Sequence, residues 1–272
     1  MKKFLLIFLT LLMCLPVSAK ADTCTPEYLK EKKHFAVLNP IVEATAQRVI
    51  KKSLKKQTNG DYKVKFDGYT FTSMKKGIFK NLDIDGKDLK IEGIDIPRLK
   101  IGTISDYNWI DYTQKPPVIK SDMKYFYEIH LSEDSLNQAL DKKEYRKILE
   151  RVNGIAYPLF VVNDVVIRLK NNKMYIVMEY DFPLTMNPKH RTFMVSTGFK
   201  VLNNKIVTDN IEIDKSYGNL QTNKVSNLIN LLDPLSFTLS ILDKKKCNVK
   251  VENVKIVDNI IQINGKIFVK GD

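Results

Sequence analysis

The run LDIDGKDLKIEGIDIPRLKI, residues 82–101, decides how the chain is read. Its apolar residues come in pairs two apart, Leu82/Ile84, Leu89/Ile91, Ile94/Ile96 and Leu99/Ile101, separated by Gly86, Gly93 and Pro97. A spacing of two belongs to a strand with one buried face. Successive pairs fall in alternating phase, so each Gly or Pro must turn or bulge the chain if all of them are to face one interior. A curved sheet is the expected outcome. Just upstream, Tyr62, Val64 and Phe66 alternate in the same way.

Three further breaks carry the hairpin pattern outward. Asn171-Asn172, Asn203-Asn204 and Asp258-Asn259 each sit between apolar runs: Val165, Ile167 and Leu169 before Met174, Ile176 and Met178; Val195, Phe199 and Val201 before Ile206, Ile211 and Ile213; Val254 and Ile256 before Ile261 and Ile263. Asn and Asp tolerate positive φ, which tight hairpin turns demand.

Helical spacing appears in three places. From 39 to 60, Asn39 and Pro40 mark a start, Val42, Ala46, Val49, Ile50 and Leu54 form a stripe, Lys51, Lys52, Lys55 and Lys56 occupy the other face, and Asn59-Gly60 marks the stop. From 133 to 152, Ser132 is the N-cap, Leu131 and Leu136 are placed as a hydrophobic staple, and Gly154 ends the run. Near 221–232, Val225, Leu228, Ile229 and Leu232 recur helically, and Leu235, Phe237, Leu239 and Ile241 then alternate as a strand. The expected fold is α+β: one domain in which a curved antiparallel β-sheet wraps around a long N-terminal helix, with additional helices near 133–152 and 221–232.

The 272 residues are 44% apolar and 28% charged, an ordinary globular balance, and carry 44 Lys+Arg against 31 Asp+Glu. Lys2 and Lys3, the apolar run from Phe4 to Cys14 and Ala19-Lys20-Ala21 read as a secretory signal peptide over residues 1–21, with the domain over 22–272. The product expected is exported, periplasmic or in the cell envelope, and peripheral to a membrane. Without the leader, 41 basic residues face 31 acidic ones, which suits an anionic partner. Two cysteines then remain, Cys24 and Cys247, and an oxidising compartment favours a disulfide between them over two thiols.

Motifs for catalysis and cofactor binding are missing from the sequence: no Cys-x-x-Cys, His-Glu-x-x-His, Gly-x-Ser-x-Gly or Gly-rich phosphate loop occurs. His34, His130 and His190 are far apart, and Asp83-x-Asp85-Gly86-Lys87-Asp88 lacks the closing Glu of a calcium loop. No enzyme activity, cofactor, metal or nucleic acid is expected. The lone Trp109 with Tyr107 and Tyr112, ahead of Pro116-Pro117, is of the kind that settles at lipid headgroups, or else caps the core.

Residues 77–93, GIFKNLDIDGKDLKIEG, resemble the N-terminal strand pattern of the LmeA-like phospholipid-binding family, formerly a domain of unknown function. Residues 131–140, LSEDSLNQAL, look like its strand-to-helix segment, and Val249-x-Val251-x-x-Val254-x-Ile256 through Ile261-x-Ile263-x-Gly265 is similar to its closing hairpin. The resemblance implies an exported phospholipid binder with an architecture akin to tubular lipid-binding folds, and no catalytic residues. The expectation joins both readings: Val49, Ile50 and Leu54 in an apolar groove for acyl chains or in the core, headgroups at Lys51, Lys52, Lys55 and Lys56, and Trp109 and Tyr112 at the bilayer. The competing expectation is a structural or interaction protein of the envelope with a fully packed core.

Overall fold

In a computed structural model of the chain, residues 39–114, 117–158, 161–184, 191–213 and 247–271 are described, with the single positions Asn227, Ile229, Leu232 and Leu235. The diagnostic run forms two strands, β3 (Asn81–Ile91) and β4 (Ile94–Thr103), joined at Glu92-Gly93, both with positive φ. The phase is reset by two facing irregularities rather than by Gly86. Asp88, at φ 52°, lies between Lys87 and Leu89, whose partners Arg98 and Ile96 flank Pro97. Both strands therefore change phase together. The register survives, and Leu82, Ile84, Leu89, Ile91, Ile94, Ile96 and Leu99 are all buried.

Strands dominate the described chain. A six-stranded antiparallel sheet runs β1 (Asp61–Asp67), β3, β4, β7 (Met123–Leu131), β13 (Ile260–Val269) and β12 (Cys247–Val257). A four-stranded sheet runs β11 (Lys205–Ile213), β10 (Arg191–Leu202), β9 (Lys173–Asp181) and β8 (Val161–Lys170). A small third sheet joins β2 (Ile78–Phe79), β5 (Asn108–Asp111) and β6 (Val118–Ile119). The three expected hairpin turns are present, with both central residues at positive φ: 52° and 55° at Asn171-Asn172, 52° and 61° at Asn203-Asn204, 51° and 56° at Asp258-Asn259.

The expected helix-centred arrangement is corrected. The N-terminal helix α1 (Asn39–Thr58) is one of four short helices among the described residues, and it packs on β1 and β3 at one side of the six-stranded sheet instead of being cradled by it. The reason lies in its stripe. Ala46, Ile50, Leu54 and Thr58 recur every fourth residue, a single narrow row that covers a sheet on one side only. The short helix α2 (Phe71–Lys75) starts from a Thr70 cap.

The helix expected at 133–152 is two helices, α3 (Glu133–Leu140) and α4 (Lys143–Ala156). Ser132 caps α3 as expected, accepting from Ser135 N–H, and the staple residues Leu131 and Leu136 are fully buried. The chain leaves helical geometry at Lys142 (ψ 144°), whose ammonium donates to the Glu92 carbonyl at 2.7 Å, and the new axis sends Tyr145 into the core. Gly154 lies within α4. The stop comes at Tyr157, where the following Pro158 disfavours helical backbone. Near 221–232, Asn227, Ile229 and Leu232 are helical, and so is Leu235, expected in a strand; the rest of that stretch lies outside the described residues.

Helix α3 ties the two large sheets together through polar side chains. Toward β4, Gln138 accepts from Asp95 N–H at 2.6 Å and the Ser135 hydroxyl donates to Asp95 C=O. Toward β8, Asn137 accepts from Ile167 N–H at 2.8 Å and donates to its carbonyl at 3.0 Å, and Glu133 accepts from Leu169 N–H at 2.8 Å. At the start of β8, Asn153 of α4 makes the same two-way pairing with Val162, at 2.8 Å each way. The open edge of β8 is thus occupied by side chains, one way of keeping an edge strand from pairing with another chain. One buried cluster includes residues from both large sheets, α1, α3 and α4, together with Ile229, Leu232 and Leu235.

Candidate functional site

Ile50 and Leu54 are 3% and 7% exposed and belong to the common core, and Val49 is half-buried. At the end of the stripe the Thr58 hydroxyl donates to Leu54 C=O and is hydrogen-bonded to the Tyr62 hydroxyl. Lys51, Lys52, Lys55 and Lys56 are exposed on the opposite face, so groove and headgroup residues are divided by the helix itself. Lys55 also spends its charge on Asp61, at 2.7 Å, and that ammonium holds the Asp61 carboxyl below its ordinary value.

Trp109 and Tyr112 lie in and beside the small sheet, both half-buried. The indole N–H of Trp109 donates to Lys76 C=O at 3.2 Å, and Tyr112 packs against the common core, where burial pushes its phenol well above the ordinary value. Gly77 makes the fit possible. At φ 79°, it brings its backbone so close to β5 that a Cβ would lie 1.9 Å from Ile110 O and 2.6 Å from Tyr112 Cε2. The structure thus gives these aromatics a packing role against α2 and the core. Cys247 opens β12, while Cys24, and with it the expected bridge, lies outside the described residues, as do His34 and His190.

Apolar faces stay half-open elsewhere. Strand β12 approaches β10 and β11, and both hairpins carry apolar side chains only partly buried against the core: Phe199, Val201, Ile206, Ile211 and Ile213 on β10–β11, Val249, Ile256 and Ile267 on β12–β13. Both hairpins carry register shifts, at Ser196/Gly198 and at Val251/Asn253, which bend the strands there. The alternation of these residues is plain in the sequence. What the sequence does not carry is how far the opposing hairpin stands off, because that depends on bulges whose only local trace is an irregular apolar spacing such as Ile206 to Ile211.

No known family model, curated protein or solved structure matches this chain.

The outer face of the six-stranded sheet carries paired charges. Arg98 grips Asp85 with two hydrogen bonds of 2.9 and 2.8 Å, and Glu128 lies 3.3 Å from Lys100 and 2.7 Å from His130. The Arg98 guanidinium holds the Asp85 carboxyl below its usual range. At Glu128, partial burial works to raise the carboxyl, but the His130 hydrogen bond and the Lys100 charge prevail and lower it. Burial and the neighbouring Asp67 raise Asp83 instead. Among the described residues no three His, Cys, Asp or Glu side chains converge as metal ligands would, and no helix is long and apolar enough to cross a membrane.

The pairing at Asp85 sets a pH dependence. Because its folded value is depressed, the stabilisation is complete above the ordinary carboxylate range and disappears as pH falls through the folded value. Asp85→Asn should therefore cost about 1 kcal/mol near neutrality and progressively less below about pH 4. Melting temperatures of the two proteins between pH 7 and about pH 3 check this; a gap that widens in acid contradicts it.

Proposed function

We propose that the chain is a non-enzymatic lipid-binding protein that accommodates phospholipid acyl chains along the half-open seam between the β10–β11 and β12–β13 hairpins. The observation that carries this reading is the incomplete burial of Phe199, Val201, Ile206, Ile211, Val249 and Ile267 on two hairpins whose strands approach each other. Apolar side chains left partly in water gain when an acyl chain covers them, at about 0.8 kcal/mol per methylene buried. The leader-like first 21 residues support export of such a protein, and the basic excess of the chain favours anionic headgroups. The resemblance to the LmeA-like family points the same way. The seam takes over the groove role from Val49, Ile50 and Leu54.

Organic extraction of the purified protein followed by mass spectrometry, with a fluorescent fatty-acid probe titrated in parallel, tests the reading. Wild type should yield phospholipid and bind the probe. Ile206→Asp, at a half-buried position, should weaken probe binding about tenfold, the loss of roughly two methylenes of contact, while the protein stays folded. Protein that is free of lipid, ignores the probe and ignores anionic vesicles would instead be the packed interaction protein of the envelope.

A further inference from the structure

The three most exposed large apolar side chains of the described residues, Ile155 (78%), Leu184 (70%) and Tyr157 (66%), all lie at one end of the four-stranded sheet. Ile155 and Tyr157 close α4, and Leu184 follows the end of β9. The two segments are held together at that end. Asn153 clamps α4 to Val162, and Val161 pairs with Asp181, the last residue of β9. Phe182 and Tyr180 meet edge to face at 5.3 Å, with the Arg191 guanidinium 5.0 Å over the Phe182 ring. The apolar tip is thus mounted on sheet and helix rather than on a free strand end.

A basic row leads away from this tip. Lys143, Lys147, Arg151 and Ile155 follow one another every fourth residue along α4, and all are exposed. Arg146 and Arg191 add two cations, with Glu144 and Glu150 on the helix and Asp164, Glu179 and Asp181 on the strands as the acids nearby. An apolar end with an aromatic hydroxyl beside it and a row of long basic side chains leading away matches an anionic bilayer surface: alkyl groups enter the acyl boundary, Tyr157 sits at headgroup depth, and Lys and Arg reach phosphates. We propose that this end of the molecule, Ile155, Tyr157 and Leu184 with Lys147, Arg151 and Arg191, inserts shallowly into anionic phospholipid bilayers. The proposal shares with the seam reading the premise of a lipid partner, but it rests on a different set of residues.

Sedimentation with vesicles of phosphatidylcholine and phosphatidylglycerol in equal parts is the test. Wild type should bind, less so as salt rises, and scarcely at all to phosphatidylcholine alone. The pair Ile155→Asp and Leu184→Asp should lose at least about tenfold in vesicle binding, because both alkyl anchors then resist leaving water. The lipid extracted from that variant should equal the wild type's. Trp109 is the sole tryptophan, so Tyr157→Trp in a Trp109→Phe background gives a direct reporter, whose emission should shift to the blue and be quenched by brominated acyl chains on adding these vesicles. An unshifted reporter overturns the proposal. So does binding that survives the tip variant yet disappears when Lys51, Lys52, Lys55 and Lys56 become Gln, which would give the membrane to α1. Vesicle binding through the tip in a protein that carries no lipid and ignores the fatty-acid probe would overturn the seam reading alone.

Discussion

Asn137→Ala should lower stability by about 2–4 kcal/mol and at the same time make the protein self-associate. The side chain is hydrogen-bonded to two backbone groups, the N–H and C=O of Ile167, at 2.8 and 3.0 Å. Leaving a part-buried donor and acceptor unmatched costs about 1–3 kcal/mol each, far more than a made hydrogen bond contributes. For a domain of this size each kcal/mol moves the melting temperature by roughly 2–4 °C, so a drop of about 5–15 °C is the readout. The second consequence follows from position. Ile167 lies midway along the free edge of β8, where Val165 N–H is met by Asp164, Leu169 N–H by Glu133 and Val162 by Asn153. Removing the central partner opens a run of edge for pairing with another chain. Size-exclusion chromatography should show dimers or larger species for Asn137→Ala, and more for Asn137→Ala with Asn153→Ala. A monomer melting within 2 °C or so of wild type would mean that water replaces the amide at no cost.

The sequence carries no sign of that clamp, for a reason general to side chains that bond to a distant backbone. Asn137 is an ordinary polar position in LSEDSLNQAL, because its partner is 30 residues away and only the packing of α3 on β8 brings them together. Local features fared better. Asn171-Asn172, Asn203-Asn204 and Asp258-Asn259 turned as read, since positive φ is a property of the residues themselves. The Ser132 cap and the stop at Asn59, with φ 55°, were equally local. What failed was inference from amphipathicity to architecture. A stripe says which face of α1 is covered, not whether a sheet wraps it or merely lies beneath it. The same limit applies to the groove: an apolar row opposite a basic face marks Ile50 and Leu54 as covered, not by what, while partly buried apolar side chains lie on the β10–β11 and β12–β13 hairpins among other places.

Leu54→Ala separates those two accounts of α1 with a large effect. Leu54 is 7% exposed within the common core, and large-to-small changes at such positions cost about 2–5 kcal/mol through lost transfer energy and the cavity left behind. Thermal or urea unfolding should therefore show a drop of about 3 kcal/mol, whereas Val49→Ala, at a half-buried neighbour, should cost under about 1 kcal/mol. Were α1 to line the lipid site, shortening Leu54 would enlarge that site, and a bound acyl chain could fill the space. Stability measured on lipid-loaded protein would then recover, and probe affinity would change. With Leu54 sealed against β1 and β3, no ligand reaches the cavity. The destabilisation should be the same with and without fatty acid, and the fluorescent probe should bind Leu54→Ala as it binds wild type. A melting temperature restored by fatty acid in this variant, and not in Ile206→Asp, would return the groove to α1 and leave the seam as packing between two hairpins.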